Sequence, residues 1–132
     1  MSYNLFVNRK PRNPMQINIK GTLIPLTPAI ESYVHKKIGA LEKFLKQFKP
    51  ASVEARVEVG KTTGHHKKGN IFRAEVNLSI PKELLRAEFS ADDLYAAIDL
   101  VHDELKRQII TRKDKIVNRR TQRMSERKGV VE

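Results

Sequence analysis

The strictest constraint on this chain is a two-residue alternation that appears twice in its middle. Val53, Ala55, Val57 and Val59 alternate with Glu54, Arg56 and Glu58; Phe72, Ala74, Val76, Leu78 and Ile80 alternate with Arg73, Glu75, Asn77 and Ser79. A period of two puts each apolar set on one side of a strand, so both belong to a sheet with one buried and one solvated face. A shorter alternating run from Gln16 to Lys20, ending at Gly21, predicts a third strand. Pro81-Lys82-Glu83 turns the chain into a fourth, Leu84 to Phe89.

The cover for that sheet comes from two stretches of helical period. Thr27-Pro28 has the form of an N-cap followed by proline at the first helical position, where a missing N–H is harmless. Ile30, Val34, Ile38, Leu41, Leu45 and Phe48 then recur at steps of three or four, predicting a helix closed by Pro50. Ser90, with Asp93 three residues on, predicts the start of a second helix, whose buried side is Leu94, Ile98, Val101, Leu105, Ile109 and Ile116. The expected class is α+β in the order β-α-β-β-β-α: a four-stranded sheet with both helices packed on one face. The β-α-β start implies parallel neighbours and the later strands a meander. Residues 15–115 form this domain, 1–14 a flexible basic extension, and 116–132 a basic tail, disordered or a frayed helix, because the apolar spacing fails beyond Lys115.

Charge is distributed as unevenly as hydrophobicity. From Glu83 to Glu104 seven carboxylates face the single Arg86, whereas from Lys106 to Lys128 ten Lys and Arg face only Asp114 and Glu126. Acid at a helix start and base at its end suit the macrodipole, but ten cations exceed what a helix end needs. With a net charge of +11, the pattern points to a polyanion, nucleic acid before anionic membrane surfaces. No apolar run approaches the ~20 residues of a membrane span. There is no Cys, hence no disulfide or thiolate metal site, and no secretory h-region; a cytoplasmic protein is expected.

The candidate binding residues follow from position. Lys36, Lys37, Lys43 and Lys46 lie off the apolar stripe of the first helix. Lys106, Arg107, Arg112, Lys113 and Lys115 spread over about half the circumference of the second, away from Leu105 and Ile109. Arg119 and Arg120 continue the series into the tail. His65, His66, Lys67 and Lys68 sit in the glycine-bracketed loop Gly60 to Asn70, where such side chains suit phosphate oxygens and 2′-hydroxyls. Adjacent histidines do not readily face one zinc, and no third ligand stands nearby, so no metal is expected. There is no G-x-S-x-G and no glycine-rich phosphate loop; Asp92-Asp93 is explained by the helix start. No cofactor, no small-molecule substrate and no enzymatic activity are expected.

Several segments resemble the ribosome hibernation-promoting factor family, also called ribosome-associated inhibitor A or sigma-54 modulation protein. They are Thr27-Pro28-Ala29-Ile30, Leu41-Glu42-Lys43, HHKKGNIFRAEV and, most specifically, DDLYAAIDLVHDELKRQI from Asp92 to Ile109. The resemblance covers residues 15 to 115 and implies a fold similar to a double-stranded-RNA-binding domain. It also implies binding to the small ribosomal subunit, against 16S-type rRNA of the decoding region. There the domain would occupy the messenger channel and the A and P sites and stop translation under stress. Lys37, Lys43, Arg107 and Lys115 match positions where family members carry rRNA-facing cations, whereas Glu104 and Thr111 fall where relatives often have Lys. Long members add a C-terminal dimerisation domain; only 17 residues follow Lys115, so a short-type factor without that domain is expected. A general structured-RNA binder or RNA chaperone, or a transcription modulator, would share the composition.

Overall fold

The computed structural model describes residues 15–62 and 71–131, with side chains as far as Glu126. Four strands, β1 (Gln16–Thr22), β2 (Glu54–Lys61), β3 (Phe72–Ile80) and β4 (Glu83–Ala91), lie in that spatial order in one sheet. β1 runs parallel to β2, with Ile19 opposite Val57; β2, β3 and β4 form the antiparallel meander, with Val57 opposite Val76 and Val76 opposite Ala87. Helices α1 (Pro28–Gly39) and α2 (Leu94–Val131) complete the expected β-α-β-β-β-α order.

The alternation does what its period requires. Ala55, Val57 and Val59, then Ala74, Val76, Leu78 and Ile80, then Leu85 and Ala87 are buried on one face. Val34, Ile38, Leu41 and Leu45 close over them from the first helical segment, and Leu94, Ala97, Ile98, Val101, Leu105 and Ile109 from α2. Each large side chain so buried contributes roughly 1.5–3 kcal/mol, so this seam between sheet and helices is the main stabilising term.

Three boundaries differ from expectation, each for a local reason. The first α-helix stops at Gly39, a poor helix former, and tightens into a 3₁₀ turn, Ala40–Phe44. The i→i−3 bonds Leu45 N to Glu42 O and Phe48 N to Leu45 O, both 3.0 Å, keep the apolar spacing without an α-helix. Secondly, Ser90 is still paired with Arg73 in the sheet, and Asp93 caps α2, its carboxylate accepting from Ala96 N at 3.3 Å. Thirdly, α2 continues to Val131 where the lost apolar pattern predicts fraying. Arg, Lys, Gln and Met are good helix formers, and no Gly or Pro stands between Lys106 and Lys128, so the helix outlives its packing. From Val117 to Glu126 every side chain is exposed.

Among the described glycines, Gly60 has the least room for a side chain. It sits opposite Thr22 in the parallel pair, and a Cβ there would collide with the Thr22 carbonyl. Gly60→Ala is expected to destabilise the domain by about 1–3 kcal/mol, read from the midpoint of urea unfolding. An unchanged midpoint would contradict the close approach of β1 and β2.

Candidate nucleic-acid interface

The open face of the sheet is charged but compensated within itself. Register places Glu58, Glu75 and Glu88 side by side across β2, β3 and β4, an arrangement of like charges that is unfavourable alone. Arg73 resolves it, lying 3.8 Å from Glu58 and 2.5 Å from Glu75 and pairing with Glu88. Arg86 adds contacts of 2.8 Å to Glu75 and 2.9 Å to Glu88. The Arg73 guanidinium, foremost by its hydrogen bond, holds Glu88 below the usual carboxylate range. Arginines tied to carboxylates in this way leave little free positive charge on that face.

The helix layer is different. Near the start of α2 its contact with α1 is polar and specific: the Tyr33 hydroxyl donates to Asp99 Oδ1 at 2.6 Å, and Lys37 Nζ lies 3.4 Å from the same oxygen. The rings of Tyr33 and Tyr95 meet edge to face, 4.9 Å between centroids and 89° between planes. The bond to Asp99, reinforced by burial and by the carboxylate charge, pushes the Tyr33 phenol up to about 12. Lys37 therefore points at α2, while its neighbour Lys36 is exposed.

About two turns beyond Asp99 on α2, cations from two elements converge. Lys43 of the 3₁₀ turn and Lys106 of α2 each place Nζ 5.3 Å from the centroid of the Phe44 ring. A cation over an aromatic face is worth about 0.5–1 kcal/mol at exposed sites, enough to bias two otherwise free lysines toward one place. Lys46 is exposed on the same segment, and Lys113 is half-buried two turns beyond Lys106. Arg112 is held beneath: its guanidinium lies 5.4 Å from the Phe48 ring and pairs with Glu83 at the start of β4.

Arg107 lies on the other flank. It donates twice to Glu104, at 3.0 and 2.6 Å, and Gln108 Nε2 donates to Glu104 at 2.9 Å and to the Arg86 carbonyl at 2.9 Å. The Arg107 bonds first, and the Gln108 bond second, hold the Glu104 carboxyl down to about 2. Lys115, Arg119 and Arg120 are exposed farther along. His65, His66, Lys67 and Lys68 lie outside the described residues.

The structure thus brings Lys43 and Lys106 together, sets Lys37 and Arg112 in contacts within the domain, and separates Arg107 from the rest. Phe44 and Phe48 are the residues that sequence reasoning missed as organisers of charge. Their spacing assigns them to the core, and only the 3₁₀ turn makes their ring faces available to α2. Among the described residues there is no cluster of three or more His, Cys, Asp or Glu able to hold a metal. No described helix is long and apolar enough to cross a membrane.

Fold and charge together define the class: a small α+β domain that concentrates free cations on its helix layer and neutralises its sheet face. The profile of the Sigma 54 modulation protein / S30EA ribosomal protein family matches residues 17–117, and the chain belongs to that family. The ribosome hibernation promotion factor of Bacillus subtilis (strain 168) is 36% identical over 102 residues, 77% of this chain and 50% of that protein. The ribosome hibernation promoting factor of Azotobacter vinelandii is 33% identical over 105 residues, 80% of this chain and 89% of that one. The chain therefore spans about half the length of the Bacillus protein and most of the Azotobacter protein. The Protein Y N-terminal domain of Thermus thermophilus aligns with a TM-score of 0.58 at 30% identity, over 74% of this chain and 96% of that one. A ribosomal subunit interface protein from Coxiella burnetii has the same fold, with a TM-score of 0.55 at 20% identity over 76% of this chain and 99% of that one.

A carboxyl held low in the folded state loses protons on folding, so it stabilises above its ordinary value and that contribution disappears as pH falls toward the folded one. For Glu104 the window runs from 4.5 down to about 2. Glu104→Gln is expected to lose stability less steeply than the parent protein across that window, measured by thermal melts at successive pH values. Coincident acid limbs would contradict the Arg107 and Gln108 contacts.

Proposed function

We propose that this protein is a ribosome-binding inhibitor of translation that promotes ribosome hibernation. The domain lodges against 16S-type rRNA in the channel of the small subunit, occupying the messenger path and the A and P sites. It acts by occlusion in the cytoplasm, without a chemical step, a cofactor or a small-molecule substrate. The observation that carries this is the meeting of Lys43 and Lys106 over Phe44, on a helix layer whose cations face outward while the sheet face is internally paired. Family membership and the names of the relatives supply the ribosome as the particular polyanion.

The physical logic is electrostatic. RNA phosphates are a dense line of negative charge, and lysines that replace condensed counterions gain affinity that falls steeply with salt. Steric blockade then needs only residence, which several such contacts provide. A general RNA binder would bind naked RNA about as well as ribosomes, so comparing the two affinities separates the readings.

In sucrose gradients of lysate from starved cells, the protein is expected to travel with ribosomes. In purified translation reactions it should lower protein synthesis in proportion to subunit occupancy. The double variant Lys43→Glu, Lys106→Glu should bind small subunits at least about tenfold more weakly, with a salt dependence reduced by about two counterions. Equal affinity of parent and variant, or absence from all ribosomal fractions, would sink the proposal.

A further inference from the structure

The two edges of the sheet differ. On β4 the edge is partly taken, because the Arg86 carbonyl accepts from Gln108 of α2 at 2.9 Å. β1 forms the opposite edge. Gln16 N donates to the Val53 carbonyl at 3.1 Å, which fixes the parity of that strand. Gln16, Asn18 and Lys20 turn their N–H and C=O groups toward β2, and Ile17 and Ile19 turn theirs outward. Among the described residues, no backbone group outside the sheet pairs with those outward groups. Proline, a bulge or a central charge commonly blunts such an edge. Gln16–Lys20 has no proline, its register with β2 is unbroken, and its one charge, Lys20, stands at the end.

The run is complementary to itself. Laid antiparallel to a second copy about Asn18, Ile17 faces the other Ile19, Gln16 faces Lys20, and Asn18 faces Asn18. In such a ladder hydrogen-bonded and non-hydrogen-bonded pairs alternate, and the bonded pairs fall on Ile17 and Ile19, whose backbone groups point outward. No like charges meet. On β2 beside the edge, Glu54 and Glu58 offset Arg56 and Lys20, so this border of a chain with net charge +11 is locally balanced. The core side agrees: Ala55 and Val57 are buried, whereas Ile17 and Ile19 opposite them are only half-buried. Pairing would remove that remaining apolar surface from water.

We propose that the β1 edge is a self-association site, at which a second copy of this chain pairs antiparallel about Asn18 and joins the two sheets into one. The contact is isologous, with its two-fold axis at Asn18, so both helix layers lie on the same side of the joined sheet. The interface is small, and the association is therefore weak and concentration-dependent. Both Lys43–Lys106 faces stay open in the pair, and their mutual repulsion opposes it.

The test uses the full chain free of ribosomes. Sedimentation equilibrium over a rising concentration series should show monomer and dimer exchanging. Asn18→Lys, which sets like charges face to face across the axis, should weaken the dimer roughly fivefold. Asn18 is exposed, so the melting temperature should not move. Because the chain has no Cys, introduced cysteines report the register. Asn18→Cys should form a disulfide-linked dimer on mild oxidation much faster than Lys36→Cys does. Gln16→Cys mixed with Lys20→Cys should join to each other rather than each to itself. Added KCl should strengthen the dimer by screening, the reverse of its effect on RNA binding. A monomer at every concentration, or Asn18→Cys no faster than Lys36→Cys, overturns the site. A dimer that Asn18→Lys leaves unchanged assembles elsewhere and overturns it too. None of these measurements involves RNA, so the hibernation proposal stands or falls separately.

Discussion

The structure depends on the packing of α2 back along the strand that precedes it. The chain leaves β4 at Ala91, is capped at Asp93, and returns so that Arg112 reaches Glu83 where β4 began. Leu94, Ile98, Val101, Leu105 and Ile109 are spent on that contact and are all buried. Because one face of the helix is committed to the sheet, its other side chains are fixed in azimuth, and with them every cation that follows Glu104. If this seam were looser, the basic residues would form a mobile cloud. As packed, they form defined flanks.

That azimuthal order connects burial to binding. On the sheet's open face three register-matched glutamates are held by Arg73 and Arg86, so a strongly basic chain presents a nearly neutral surface there. On the helix layer, an aromatic ring replaces carboxylates as the partner of Lys43 and Lys106. A ring positions a cation without cancelling its charge, whereas a carboxylate does both. The two kinds of partner divide the molecule into a nearly neutral surface and one whose positive charge stays uncancelled. The acidic start of α2 takes part as well: Asp99 ties Tyr33 and Lys37 across the helix pair, and Glu104 restrains Arg107.

Much of this was legible in the sequence, and the failures have physical causes. A period of two admits one reading, so the sheet, its buried face and its solvated face followed from the residues, as did the order of elements. The spacing overstates the length of the first helix because a 3₁₀ turn preserves steps of three, so Leu41, Leu45 and Phe48 keep the helical spacing after Gly39 has ended the α-helix. The sequence pattern points to Ser90 as the cap because a capping pattern does not reveal where strand pairing ends. The sequence presents the cations of α2 as one surface because a helical wheel says which residues share a side, not what lies beside them. Only the positions of α1 and of the β4 edge separate Lys106 from Arg107 and Lys115, and only the fold reveals that Arg112 lies between Phe48 and Glu83.

The central claim is that the helix layer, seated in the channel of the small subunit, excludes messenger and transfer RNA. Hydroxyl-radical footprinting of 16S-type rRNA in small subunits saturated with this protein tests it most directly. The account predicts backbone protection confined to the decoding channel around the A and P sites, lost with added salt. Protection elsewhere on the subunit, or none at saturating protein, would contradict it.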